Sequence, residues 1–128
     1  MQFWSEEFFQ SAAKSLNEDP RVGTSIGGIS TSILADCSDL GKAFLIRVEV
    51  GRVGVSQASA GAAAEFTFSA PYQEWVSIVR DSLNIRGEVL KSRVKFRGSM
   101  PKMLLYLGRV SRMEMEIIAK MRALSPVY

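Results

Sequence analysis

The chain has 128 residues, 47% apolar and 23% charged, a length and balance that suit one soluble globular domain with a real core. It has no histidine and a single cysteine, Cys37. That excludes a Ser-His-Asp or Cys-His dyad, a histidine general base, an ordinary histidine or cysteine metal site and an internal disulfide. Net charge is +3 but uneven: residues 1–90 carry 7 basic and 11 acidic side chains, and residues 91–128 carry 9 basic and 2 acidic.

No apolar run approaches the ~18 to 20 residues of a membrane span. The start, "MQFWSEEFFQ", has acids where a secretory signal would have bases. With one cysteine, a reducing, cytoplasmic setting is the expectation. The basic C-terminal part raises an anionic membrane or nucleic acid as partner. No aromatic residues interleave with its exposed basic row as a stacking platform would require, so no nucleic-acid partner is expected. The acids are scattered singly or, as Glu6 and Glu7, favour a helix start. They read as solvated surface, so no metal or cofactor is expected, while carboxylate or lysine chemistry stays open.

In chain order, Ser5 followed by Glu6 and Glu7 predicts a helix cap, and Trp4, Phe8, Ala12 and Leu16 form its apolar strip. "NEDP" ends that helix, and "VGTSIGG" reads as a loop without phosphate-loop spacing. Residues 29–36 predict a β-branched strand. "KAFLIRVEV" predicts another, with Phe44, Ile46, Val48 and Val50 on one face. Gly51-Arg52 is placed at the centre of a turn, and "VGVSQ" runs back. "ASAGAAA" reads as a loop and "EFTFS" as a strand with Phe66 and Phe68 on one face. Ser69 and Pro71 predict a helix start, with Tyr72, Trp75, Val76, Val79 and Leu83 as its apolar side. A short turn or helix over Glu88–Lys91 precedes the strand "RVKFR". Val94 and Phe96 are expected inward there, and Arg93, Lys95 and Arg97 outward. Gly98 ends the strand, and Ser99 with Pro101 starts a helix.

That helix begins with a stripe of Met100, Met103, Leu104 and Leu107. Gly108 is expected to break or kink it before a final helix bearing Val110, Met113, Ile117, Met121 and Leu124. Met115 and Ile118 lie off that strip and suggest a partner surface. The order predicts an α+β domain over residues 1–128, a mainly antiparallel sheet with helices on one face, with no repeat or linker.

From "EFTFSAPYQEWVSIVRDSLNIRGEVLKSRVKFRGSMPKMLLYL" the chain resembles the sterol-carrier-protein type-two family. The likeness rests on the "FTFS" strand running into a helix with Trp75, the basic strand "RVKFRG", and "SM" then "LLYL" opening the next helix. The "LIRVEVGRVGV" hairpin fits more loosely, and the whole covers roughly residues 40–108. Ser92 departs from the glycine often found before the basic strand, and there is no peroxisomal tail. The resemblance implies a five-stranded sheet covered by helices, with an apolar cavity between them. It implies non-covalent binding of fatty acids, acyl-CoA esters or other lipids, with no catalytic residues.

On that reading Met100, Met103, Leu104 and Leu107 line the cavity, soft side chains suited to varied contents. Phe66, Phe68, Phe96, Trp75 and Val79 edge it. Arg93, Lys95 and Arg97 meet an anionic head group or a membrane surface transiently. A plain core is the alternative for every apolar residue named. Three functions stay open. One is a lipid carrier. Another is an accessory protein, a homodimer through the last helix, that presents a lipid-like intermediate to an enzyme. The least favoured is a nucleic-acid binder.

Overall fold

Capping and alternation place most of the elements. In the computed structural model, which describes all 128 residues, the Ser5 hydroxyl accepts from the Phe8 N–H at 3.2 Å and opens α1 (Glu6–Asn17). Three strands follow α2 (Pro20–Ile26): β1 (Thr31–Cys37), β2 (Lys42–Glu49) and β3 (Arg52–Ala58). Then come β4 (Phe66–Ala70), α3 (Tyr72–Arg80), α4 (Ile85–Leu90), β5 (Lys95–Arg97) and α5 (Met100–Ala123). The five strands form one sheet in the order β3-β2-β1-β4-β5, antiparallel except for the parallel β1–β4 pair. This is the expected α+β fold with a mainly antiparallel five-stranded sheet.

The edge strand β3 is not left open. Asn17 on α1 donates its side-chain amide to the Val53 carbonyl and accepts the Val53 N–H, both at 2.8 Å. Gln10, nearly two turns earlier, donates to the Val55 carbonyl at 2.8 Å. Two side chains of α1 thus occupy main-chain groups that would otherwise template another chain.

Four local expectations fail for identifiable reasons. Most of "VGTSIGG" is helix, not loop, as part of α2: Asp19 caps the Arg21 N–H at 2.9 Å and Pro20 sits at the first helical position, so "NEDP" ends one helix and starts the next. The hairpin turn is Val50-Gly51, because Glu49 pairs with Arg52. Both central residues have positive φ (51° and 72°), and Val50 is 89% exposed rather than inward. Ser69 belongs to β4, where its hydroxyl donates to Asp36 at 2.7 Å; α3 instead has its first N–H, that of Tyr72, held by Asp39 at 2.9 Å. Finally, α5 runs 24 residues straight through Gly108. A helical glycine costs only about 1 kcal/mol, less than the packing of a long amphipathic face returns.

Two apolar clusters stand on the inner face of the sheet. The larger is aromatic: Phe9 stacks on Phe44 at 4.3 Å between ring centres, and Trp4 on Trp75 at 4.7 Å. Both indoles donate to main-chain carbonyls, Trp4 to Lys42 and Trp75 to Asp36, each at 3.0 Å. The C-terminal tail pins the N-terminus beside them: Phe3 N–H donates to Val127 O, and Val127 N–H to Met1 O. The smaller cluster holds Leu16, Val22, Ile26, Ile29, Val48 and Met113.

Not every acid is solvated. Glu88 is 3% exposed, with Arg93 at 3.5 Å and Lys91 at 3.7 Å. Burial and the neighbouring Glu88 carboxylate push Glu74 above the ordinary glutamate range.

Candidate functional site

The inner face of the sheet and α1, α2 and α5 line a partly open pocket of about 220 Å³. Twenty of its 21 lining residues are hydrophobic, and no polar atom contributes to its surface. The sheet supplies the floor through Ile33, Ile46, Val48, Val53 and Val55, the inward positions of a period-two pattern. Over this floor α1 presents only Ala12 and Ala13 between Phe9 and Leu16, and these small side chains leave room above the strands. The roof is α5, through Met103, Tyr106, Leu107, Val110, Ile117 and Met121.

A dry apolar cavity of ~150 Å³ already takes benzene, so this one has room for a larger apolar group. Water is a poor occupant, because it needs two to four polar partners that the wall does not offer. Chemistry has few handles here. Cys37, the lone thiol, is fully buried outside the pocket, and burial pushes its pKa up to about 12.

The candidate residues divide. Met103, Leu107, Phe66 and Phe68 line the pocket. Met100 and Leu104 do not; they are 37% and 36% exposed. Helix continuity is the reason. Because α5 is unbroken, Val110, Met113, Ile117 and Met121 set the phase of its buried face, and stepping back 3.6 residues at a time reaches Tyr106, Leu107 and Met103. Trp75 and Val79 fill the aromatic cluster instead, and Phe96 packs beside Phe66 and Phe68 without lining the pocket. Ile118 also packs on the aromatic cluster, whereas Met115 is exposed.

Arg93, Lys95 and Arg97 do not border the pocket. In β5, Lys95 and Arg97 pair with Ser69 and Thr67, so they alternate with Phe96 and point to the face opposite Phe66 and Phe68. Arg93 is engaged by Glu88.

Glycine at the end of β5 is a steric requirement. Gly98 has φ 135°, and a β-carbon there would lie 2.7 Å from the Glu65 carbonyl oxygen and 2.9 Å from the Phe66 ring. The glycine lets β5 close against the pocket wall before α5 begins.

The sequence profile of the SCP-2 sterol transfer family matches residues 10–106. The chain belongs to that family. No curated protein sequence matches the chain. Among solved structures, it resembles a conserved hypothetical protein of Thermus thermophilus, described as possibly a sterol carrier protein, at 14% identity, with 94% of this chain and 90% of that one covered and a TM-score of 0.77. A sterol carrier protein 2 matches at 14% identity over 91% of this chain and 97% of that one, also with a TM-score of 0.77. The sterol carrier protein 2 of Aedes aegypti, solved with palmitate, matches at 18% identity over 94% and 98%, with a TM-score of 0.56. At such identities the shared property is the SCP-2 fold. Family membership itself supports lipid binding or transfer at the level of the family.

Most of the pocket was not visible as a site in the sequence: of its 21 lining residues only Met103, Leu107, Phe66 and Phe68 were candidates. Val22 and Ile26 lie in the stretch expected to be a loop. Ile46 and Val48 carried an inward signal, but nothing in it separates core from cavity wall.

Proposed function

We propose that this protein is a non-catalytic lipid carrier that holds the apolar chain of a fatty acid or related single-chain lipid between the sheet and α5. The observation that carries this reading is a pocket of about 220 Å³ with no polar surface, in a chain of the SCP-2 family. Each buried methylene contributes ~0.8 kcal/mol, so even a partly buried chain offsets several kcal/mol of association cost. The fatty-acyl chain suits the wall better than a rigid sterol. Met103 and Met121 are flexible side chains in a roof formed by one helix, which adapts more readily to a chain of variable length.

Mass spectrometry of the purified protein, natively and after organic extraction, tests the proposal. A stoichiometric fatty acid or other lipid is the expected result. An empty protein that also fails to bind a fluorescent fatty acid would overturn it.

A further inference from the structure

Since the pocket has no polar surface, the polar end of any lipid must leave it at a rim, and the rims differ in chemistry. Where α1 meets β3, the rim is neutral: Gln10 and Asn17 are tied to the β3 main chain. Where α2 meets α5, two cations face two carboxylates. Arg21 pairs with Asp19 at 3.0 Å and Glu116 at 2.7 Å, and Lys120 pairs with Asp19 at 3.3 Å.

The third rim lies between α5 and the starts of β1 and β4. The Thr31 hydroxyl donates to Glu65 at 2.5 Å, and the Lys102 ammonium pairs with the same carboxylate at 2.5 Å. Two helical turns further on, Arg109 donates to the Gly28 carbonyl at 3.3 Å and makes no ion pair. Tyr106 lies between the two cations, with Lys102 at 5.6 Å and Arg109 at 6.0 Å from its ring centre. Tyr106 and Thr31 both line the pocket, so this charged chain touches the apolar wall directly. Thr31 and Val48 also line an adjoining polar groove that adds Ser30, Ser32, Arg47, Glu49 and Glu65. Arg47 and Glu49 alternate with the inward Ile46 and Val48 and cancel by formal charge, which leaves Lys102, Arg109 and the carboxylate of Glu65 on the pocket side. By formal charge, Lys102 and Arg109 against Glu65 leave this rim an excess of one cation.

The geometry points to a head-group site here. We propose that Lys102 and Arg109 receive the carboxylate of a single-chain amphiphile whose tail fills the pocket, with the ligand replacing Glu65 at Lys102. The inference rests on the lipid-carrier reading and specifies its ligand as a monoanion. A guanidinium whose present partner is one carbonyl, and an ammonium shared with an exchangeable carboxylate, are the groups at the rim able to form charge-assisted bonds to an incoming anion. Glu65 keeps its bond from Thr31 after the exchange, so it is not left unpaired. The basic residues of β5 face away from the pocket and take no part.

The test is displacement of the uncharged dye Nile red by dodecanoate and by dodecanol, at neutral pH, from the parent and from Lys102→Gln, Arg109→Gln and Glu65→Gln. The parent should prefer dodecanoate to dodecanol by about tenfold, the effect of one charge-assisted hydrogen bond. Lys102→Gln and Arg109→Gln should each remove most of that preference while leaving dodecanol unchanged, and Glu65→Gln should tighten dodecanoate. Equal binding of the two ligands by the parent and all variants would sink the head-group site and leave the carrier reading intact. Parallel weakening of both ligands would show that these side chains only hold the fold, which also overturns the inference. A parent that binds neither ligand would overturn both readings.

Discussion

The two halves of the sheet–helix interface solve the same packing problem differently. Around β2 and α3 the space is filled by rings. Phe9 on Phe44 and Trp4 on Trp75 interlock at 4.3 and 4.7 Å, and the indole N–H groups tie them to the main chain. Around α2 and the middle of α5 the fully buried side chains are aliphatic or methionine, α1 contributes alanines, and about 220 Å³ stays open. Rigid aromatic rings with polar handles close a core. Alanine on one side and β-branched residues on the other hold two surfaces apart, provided something else keeps the layers in place. That something is the aromatic half, with the charged and amide contacts at the rims.

Truncation in the two halves gives the sharpest contrast. Phe44→Ala, in the fully packed half, should cost about 4 kcal/mol in urea unfolding. Val48→Ala should cost only about 1 kcal/mol, since its side chain already faces an opening and loses fewer contacts. Equal losses would mean that the pocket half is as well packed as the aromatic half. Next in size, Leu107→Trp should fill the pocket and weaken fatty-acid binding by about tenfold or more while the chain stays folded. Leu104→Trp, on the exposed side of α5, should leave binding unchanged. A swap of those two outcomes would show that the phase of α5 is misassigned.

Smaller effects act on the pocket half from outside its wall. Val50→Asn should stabilise by about 1 kcal/mol in thermal or urea unfolding, because valine at φ 51° is strained and Asn-Gly suits a turn with two positive φ values. Gly108→Ala should add about 0.8 kcal/mol, as nothing lies within 4 Å of the new β-carbon and alanine is the better helix former. If it destabilises instead, α5 bends at that point when the protein folds.

The least effect is that of acid on the Lys102–Glu65 link. Lys102 first, then Thr31, holds the Glu65 carboxyl below its ordinary value of 4.5. The contribution of Glu65 to stability is therefore complete above that value and is lost as pH falls through its lowered folded pKa. Glu74 has the opposite sign: burial raises its pKa, so its contribution favours the folded chain in acid and fades as pH rises through the raised value. Melting curves across the acid range should show Glu65→Gln with a flatter acid limb than the parent. An unchanged limb would remove Glu65 from the account.

How much of this was legible beforehand depends on the reach of each signal. Caps, proline positions and strand alternation act within four residues. The "FTFS" strand, the helix carrying Trp75, the two-sided pattern of β2 and the SCP-2 resemblance are all carried by neighbouring residues. Asp19 is legible too, but as a stop rather than as the cap of α2, since the same tetrapeptide serves both. In a window that ends at Gly108, Met100, Met103, Leu104 and Leu107 share one face. Fifteen further residues of the same helix rotate the buried face toward Tyr106.

Composition and local pattern were enough to exclude histidine and disulfide chemistry, to assign an α+β class and to place the apolar faces. They could not say where apolar faces meet and where they stand apart, because period and hydrophobicity are the same for a filled core and a cavity wall. The pocket follows from Ala12 and Ala13 of α1 sharing its wall with Val53 and Val55 of β3. The cationic rim follows from Lys102 meeting Glu65 across 37 residues of chain. Such long-range juxtapositions have no local periodicity. They exist only once the aromatic half has fixed the distance between helices and sheet.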